Sequence, residues 1–343
     1  MKNIKFGLVI ILLILAATQS VFASGGNRNG TAGASELLIP VGTRGIAMGG
    51  ATLTNATGLE ALYWNPANLA RSTNSTNVML SQMNFIADIG VSYGAVSTNI
   101  EGFGAVGLSI KGLSMDDIAT TTVDNPDGTG QTFKPQYLTV GITYSKMLSD
   151  RISVGLTGNY ISEKIDRVSA TGFAFNIGIS YQNLGNINGL SFAVVMKNLG
   201  PQMQYQGSGL YLPAVATGLQ RGSQLYTMQS APFELPSTLE LGLGYKYDIN
   251  SENALALSSS FQNSNFYGDE YKVGAEYGFN NLFFVRGGYA HISDINREDA
   301  TFGLTAGAGL NYQMEGFDFK FDYAFRQTKY FSANHVFSVS FGF

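Results

Sequence analysis

The chain has 343 residues, 45% of them hydrophobic, 12% aromatic and only 13% charged, with a formal net charge of −4, 42 Gly and no Cys. Lacking cysteine, it is barred from disulfides, thiol catalysis, Cys-ligated zinc and a lipoprotein anchor, and its acidic balance argues against nucleic acid as a partner. Abundant Gly and aromatic residues with few charges suit strands separated by turns.

Taken in chain order, Lys2 and Lys5 form a basic start, Phe6 to Ala17 an apolar run and Val21-Phe22-Ala23 a small-residue cleavage site, so residues 1–23 read as a secretory signal peptide. That run is too short to span a bilayer. Beyond Ala17 no stretch approaches the roughly 20 apolar residues of a membrane helix, which leaves a periplasmic protein or a spanning β-barrel. Residues 24–75 do not alternate. They hold turn glycines (Gly42, Gly45, Gly49, Gly50), a capping-box pattern at Thr57-Gly58-Leu59-Glu60, and Asn65 as an N-cap before Pro66. A segment of this size cannot hold a core of its own, so the inside of a barrel is its expected place as a hatch.

From residue 76 to the end the sequence alternates with period two in about 14 segments, an even number as bacterial barrels require. The expected spans are 76–87, 89–99, 102–114, 135–148, 151–165, 168–182, 190–199, 237–249, 253–263, 269–279, 282–292, 300–314, 316–327 and 334–343. Joints after even-numbered strands are tight. The two longest connections, 115–134 and 200–236, both follow odd-numbered strands, where long extracellular loops belong. The fold class expected is therefore all-β: a 14-stranded antiparallel transmembrane barrel over residues 76–343, plugged by the hatch.

Within these strands one face is apolar and the other carries charge. Phe317, Phe319, Phe321, Tyr323 and Phe325 alternate with Asp318, Lys320, Asp322, Ala324 and Arg326, and the same parity turns Glu240, Glu276 and Arg286 inward together with Lys111, Lys197 and Lys246. Such lumen charges would either line a polar path or bond the hatch. Five Gly-x-x-Tyr repeats (Gly141, Gly178, Gly242, Gly274 and Gly309 with the Tyr three residues on) would put each Tyr in a lipid-facing belt and each Gly in the lumen. In the last strand Phe337, Val339, Phe341 and Phe343 face one way, Ser338, Ser340 and Gly342 the other. Ending on Phe343, with Phe341 two residues before, matches the insertion signal read by the barrel-assembly machinery. Outer-membrane lipid and that machinery are the expected partners, and the bacterial outer membrane the expected location.

Chemistry is sparse. His291 and His335, the only histidines, fall at extracellular strand ends with no convergent Ser and Asp, so neither catalysis, a cofactor nor a metal is expected. Asp124-Asn125-Pro126-Asp127-Gly128 departs from the alternating carboxylates of a calcium loop and reads as a turn. The 200–236 connection is rich in Tyr, Leu, Met and Phe, which fits a docking surface or packing over the barrel mouth.

The stretches from Gly33 to Gly42, from Arg44 to Ala51 (Arg-Gly-Ile-Ala-Met-Gly-Gly-Ala) and from Leu62 to Ala67 (Leu-Tyr-Trp-Asn-Pro-Ala) resemble the N-terminal signature of the PorV/PorQ family, within the wider FadL-like (OMPP1/FadL/TodX) barrels. The resemblance is specific over about residues 30–70 and architectural beyond them. It implies hatch roles for Arg44, Trp64, Asn65, Pro66 and Ala67. It also implies an accessory or shuttle component of type IX secretion, with a secretion channel and its cargo as partners. The alternative implied by the wider group is a passive channel for hydrophobic small molecules.

Overall fold

The computed structural model describes residues 31–215, 222–293 and 300–343; the signal-peptide reading lies outside them. Fourteen antiparallel strands close into one barrel. Numbered in chain order they are β1 Thr76–Asn84, β2 Gly90–Ile100, β3 Gly104–Ser114, β4 Gln136–Met147, β5 Ile152–Ile165, β6 Val168–Gln182 and β7 Leu190–Leu199. The second half comprises β8 Thr238–Asp248, β9 Asn253–Ser264, β10 Glu270–Phe279, β11 Phe283–Ile292, β12 Phe302–Met314, β13 Phe317–Thr328 and β14 Asn334–Gly342. The seam is β1 against β14, in register from Asn77 opposite Gly342 to Asn84 opposite His335. Closure leaves no strand edge, so each wall strand pairs on both sides with another strand, the condition for crossing a bilayer.

Burial follows the parity read from the sequence. Asn334, Val336 and Ser338 are buried toward the lumen while Phe337 and Phe343 are exposed on the outside, and Leu80, Ile142, Val285 and Leu304 continue that apolar exterior around the wall. Four strands depart in detail. β1 stops at Asn84 because Ala87 and Asp88 take positive φ (52° and 59°) in the turn to β2, a conformation that ends strand pairing. Register shifts interrupt β6 against β7 between Phe175 and Ile177, and β12 against β13 between Phe302 and Thr305; an extra residue of this kind is invisible to an alternation count. Tyr245, expected in the belt, is buried, whereas Tyr144, Tyr277 and Tyr312 are exposed. Its register partners are Leu190 and Leu257. Both long connections also contain short hairpins, Ile118–Ala119 with Thr132–Phe133 and Tyr211–Ala214 with Gln224–Thr227.

Residues 31–75 pack inside the barrel as a plug. It is a chain of single turns: 3-10 turns Ser35–Leu38, Gly58–Glu60 and Pro66–Arg71, with α-helical turns Thr43–Ala47 and Ala61–Trp64. None is long enough to be stable alone. Ala47, Met48, Ala51, Ala56, Ala61, Ala67 and Leu69 are nevertheless fully buried, and Ala47, Ala56, Ala61 and Leu69 share one cluster with luminal Met79, Met83 and Val336. The plug runs from the outer mouth, where the Gly33 N–H donates to the Glu234 carbonyl (3.1 Å), to the periplasmic rim, where Arg71 donates to the Ser153 hydroxyl and the Arg151 carbonyl (3.0 and 2.8 Å).

Candidate functional site: the plugged lumen

Close approach between plug and wall depends on luminal glycines. A Cβ at Gly155 would collide with the Pro66 carbonyl carbon, and one at Gly178 with the Asn65 amide oxygen. One at Gly274 would lie 2.5 Å from the Met48 carbonyl oxygen, and one at Gly307 2.6 Å from the Ala47 Cβ. These positions form smooth ground on which plug backbone can lie. Polar side chains between them close the plug's open hydrogen bonds. Ser145 Oγ donates to the Ala67 carbonyl (3.0 Å), Thr305 Oγ1 to the Ala47 carbonyl (2.9 Å), and Lys111 Nζ to the Glu36 carbonyl (2.7 Å). Short turns leave many backbone groups unpaired, and the wall supplies the partners.

The expected hatch residues occupy distinct places in this arrangement. Asn65 caps the Pro66–Arg71 turn, its Oδ1 accepting the Ala67 N–H at 3.1 Å while its Nδ2 donates to the Leu53 carbonyl at 2.8 Å; Pro66 stands at the first position, where no N–H is required. Trp64 donates its indole N–H to the Val41 carbonyl (2.9 Å) and lies over Gly45, where a Cβ would strike its ring. Tyr63 meets it edge-on at 5.1 Å, and the Lys197 ammonium sits 4.9 Å from the Tyr63 ring and 5.2 Å from the Trp64 ring.

Thr57 and Glu60 correct the capping-box reading. Thr57 precedes the Gly58–Glu60 turn but makes no capping hydrogen bond. Glu60 turns away to the Thr43–Ala47 helix instead, accepting the Arg44 N–H (2.9 Å) and the Gly45 N–H (3.0 Å). The residue before that helix, Gly42, has φ 84°, and a Cβ there would be 2.7 Å from the Glu60 carboxyl carbon, so only glycine admits the carboxylate. Burial, then Asp322, pushes the Glu60 carboxyl up to about 7 against the pull of the Arg44 N–H.

Arg44 makes the plug's ionic contact with the wall. Its Nε and Nη2 donate to the two Glu276 oxygens at 2.7 and 2.8 Å, and its Nη1 donates to the Asn55 carbonyl. Burial alone would lower its pKa, but Glu276 more than compensates and keeps the guanidinium charged. Arg286 also donates to Glu276 and reaches Asp322, so Arg44, Glu276, Arg286 and Asp322 form one ion chain across three strands. Farther along, Asn74 donates to Asp318 at 2.9 Å.

The plug divides the inward charges into two chambers. On the periplasmic side Glu276, Arg286, Asp318, Lys320 and Asp322 line a polar cavity of about 230 Å³, which shares Arg44 and Glu276 with a second polar cavity of about 550 Å³. On the outer side a cavity of about 580 Å³ has apolar walls from Leu37, Ile39, Ile46, Trp64 and Phe302, with Glu240, Lys197 and Arg326 among its polar groups. Lys197 pairs with Glu240 at 2.9 Å, and Arg326 lies 3.5 Å over the Phe302 ring. The sequence reading missed Glu60, Tyr63, Lys272 and Glu270 as lumen or plug residues of consequence; only even parity in β10 marked the last two. Among the described residues no group of three or more His, Cys, Asp or Glu side chains could hold a metal ion. Asp124 to Gly128 forms an exposed turn closed by the Gly128 N–H to the Asn125 carbonyl. His291 is exposed at the rim, and His335 shares a hydrogen bond with the Tyr323 hydroxyl (2.9 Å).

A closed 14-stranded antiparallel barrel with an N-terminal segment packed inside it is the class of structure these elements define. Solved structures of similar shape include the CymD monoaromatic hydrocarbon channel (15% identity, 89% of this chain and 98% of that one, TM-score 0.55). The Ralstonia pickettii toluene transporter TbuX (16%, 94% and 100%, 0.54) and the Pseudomonas putida toluene transporter TodX (12%, 88% and 97%, 0.58) are also similar. No curated protein matches the sequence. The family described as type IX secretion system protein PorV matches residues 23–231, and the chain belongs to that family. It resides in the bacterial outer membrane, and its family and structural neighbours are secretion and transport components.

Proposed function

We propose that this barrel serves type IX secretion as a closed docking accessory, holding the secretion channel or its cargo on the extracellular face while its own lumen stays plugged. The observation that carries this reading is the Tyr211–Ala214/Gln224–Thr227 hairpin. It presents Tyr211, Leu212, Leu225, Tyr226 and Met228 to solvent, more apolar surface than an isolated two-stranded hairpin retains without a partner. The ion chain from Arg44 to Asp322 supports the plugged half of the reading, because the plug's Arg44 is held by Glu276, itself fixed by Arg286 in a charge chain across three strands. On this reading Phe341 and Phe343 serve insertion, and residues 24–75 the seal.

A second reading rests on the outer cavity: about 580 Å³ with apolar walls suits a hydrophobic small molecule, as in a passive channel. Affinity purification from detergent-solubilised outer membranes, with mass spectrometry of what co-purifies, separates the two. Recovery of a large secretion channel or secreted cargo, lost when Leu225 and Tyr226 are changed to Asp, is the expected outcome. A clean monomer carrying bound lipid, unaffected by those changes, would overturn the docking reading in favour of the second.

A further inference from the structure

At the outer mouth three parts of the chain meet around two buried carboxyls. Glu36, 4% exposed, comes from the Ser35–Leu38 turn at the head of the plug, and Glu163, 2% exposed, projects from β5. The Tyr205 hydroxyl, from the base of the 200–236 connection, donates to Glu163 Oε2. The remaining Oε1 atoms of Glu36 and of Glu163 are both buried without a partner, although the two carboxyls lie within hydrogen-bonding reach of each other.

The other groups facing the pair do not satisfy it. Lys111 on β3 gives its ammonium to the Glu36 and Ile39 carbonyl oxygens (2.7 and 3.3 Å), and Tyr137 on β4 is the remaining titratable neighbour. Leu37, Ile161, Met203 and Leu235 close an apolar shell around the cluster. Two carboxylates side by side in such a shell cannot both be ionised at low cost, whereas one proton held between them supplies a donor where both orphan oxygens need one. A divalent cation fits less well, because the Lys111 charge stands beside the pair and no third carboxylate or imidazole joins it among the described residues.

We propose that Glu36 and Glu163 form a proton-binding site whose shared proton fastens the head of the plug and the base of the 200–236 connection to the barrel wall, and whose loss releases both. Backbone hydrogen bonds also join these parts: Gly33 to Glu234 between plug head and connection, the reciprocal pair between Met203 and Phe233 across the base of the connection, and the reciprocal pair between Gln206 and Ser169 that ties the connection to β6. Burial, then Glu163, pushes the Glu36 carboxyl up to about 7 from 4.5. A raised value means that the closed arrangement holds the proton more tightly than the open one. The fastening is therefore complete below about pH 4.5 and is lost as pH rises through about 7.

The test is hydrogen–deuterium exchange on the full barrel in detergent, reading the amides of Gly33, Met203 and Phe233 with intrinsic rates corrected for pH. Between pH 6 and pH 8.5 the wild-type protection is expected to fall about tenfold, the ratio that a shift from 4.5 to about 7 produces. Glu36→Gln, which keeps a donor at every pH, is expected to give protection that no longer varies with pH. A flat wild-type profile would overturn the proposal without any variant, as would an undiminished pH dependence in Glu36→Gln or, if that protein does not assemble, in Glu163→Gln. Restoration of wild-type protection at pH 8.5 by calcium would also overturn it, because the site would then be a cation site.

Discussion

Wall and plug reach order by opposite routes. Each wall strand is specified by its own alternation and satisfied by the two strands beside it, as β14 is by β13 and β1 along nearly its whole length. The plug has no such regular ladder. Its five turns are joined by irregular bonds of their own, such as the Gly50 N–H to the Gly45 carbonyl and the Arg44 N–H to the Glu60 carboxylate, and further groups reach luminal side chains of β3, β4, β5, β10 and β12. The strand pairing that closes the wall uses no plug residue, whereas the plug's side chains are buried only against the wall. Substitutions should therefore divide sharply: those in the wall's lipid face or seam decide whether a barrel exists, and those at the plug's contacts change only what fills it.

The largest effect belongs to the wall. Phe343 is 56% exposed at the end of the closing strand, beside Phe317 at a ring distance of 5.6 Å. Phe343→Asp puts a charge on the lipid face at the proposed insertion signal, and the expected outcome is failure to insert, periplasmic accumulation and degradation. Heat-modifiable barrel at normal levels in the outer membrane would refute the role given to this strand.

Next comes a wall residue that affects only the plug. Gly155 lies directly under the Pro66 carbonyl and the Ala67 N–H, backbone that cannot rotate away, so Gly155→Leu should displace the turn by more than an ordinary overpacked site, costing upward of about 3 kcal/mol locally. The barrel should still assemble. Faster proteolysis of residues 31–75 and raised single-channel conductance in planar bilayers are the expected readouts. An unassembled barrel would mean that wall and plug fold as one unit.

Arg44→Ala with Asn65→Ala works from the plug side. Losing Arg44 leaves Glu276 with Arg286 alone and should cost about 3 kcal/mol, the low end for a broken buried pair because one cation remains; Asn65→Ala adds about 1 kcal/mol for the lost cap. The double variant should assemble fully, with a plug cleaved faster by protease and conductance above wild type. Unchanged protease resistance and conductance would show that this segment does not seal the lumen.

How far each part could be read beforehand follows from the same division. Period-two alternation is local, so β6 and β7 end where the sequence reading ends them, and the parity of Glu240, Glu276 and Asp322 follows without any tertiary information. The register shift at Phe302 and the burial of Tyr245 depend on neighbouring strands, which no single strand records. In the plug, Asn65 with Pro66 was legible because both halves of that signal act within two residues. Arg44 could be singled out as the plug's cation, but among several inward carboxylates only the closed barrel selects Glu276, 232 residues away. The capping-box reading of Glu60 fails on a shorter scale, since its partners lie 15 and 16 residues back and are reached only when the plug's own turns pack together.

That misassignment gives the smallest and most discriminating prediction. Thr57 and Asn65 look alike on paper, each a favoured N-cap residue one position before a turn. In the structure they differ: Asn65 Oδ1 accepts the Ala67 N–H and its Nδ2 holds the Leu53 carbonyl, whereas the Thr57 side chain caps nothing and the carboxylate three residues on is committed to Arg44 and Gly45. Asn65→Ala alone should therefore lower plug protection by about 1 kcal/mol, read as roughly fivefold faster hydrogen exchange at Ala67. Thr57→Ala should stay within about 0.5 kcal/mol of wild type, the range of substitutions that touch no such feature. Equal losses from the two would mean that Thr57 caps its turn in solution, and the account of Glu60 as the cap of the Thr43–Ala47 helix would have to be withdrawn.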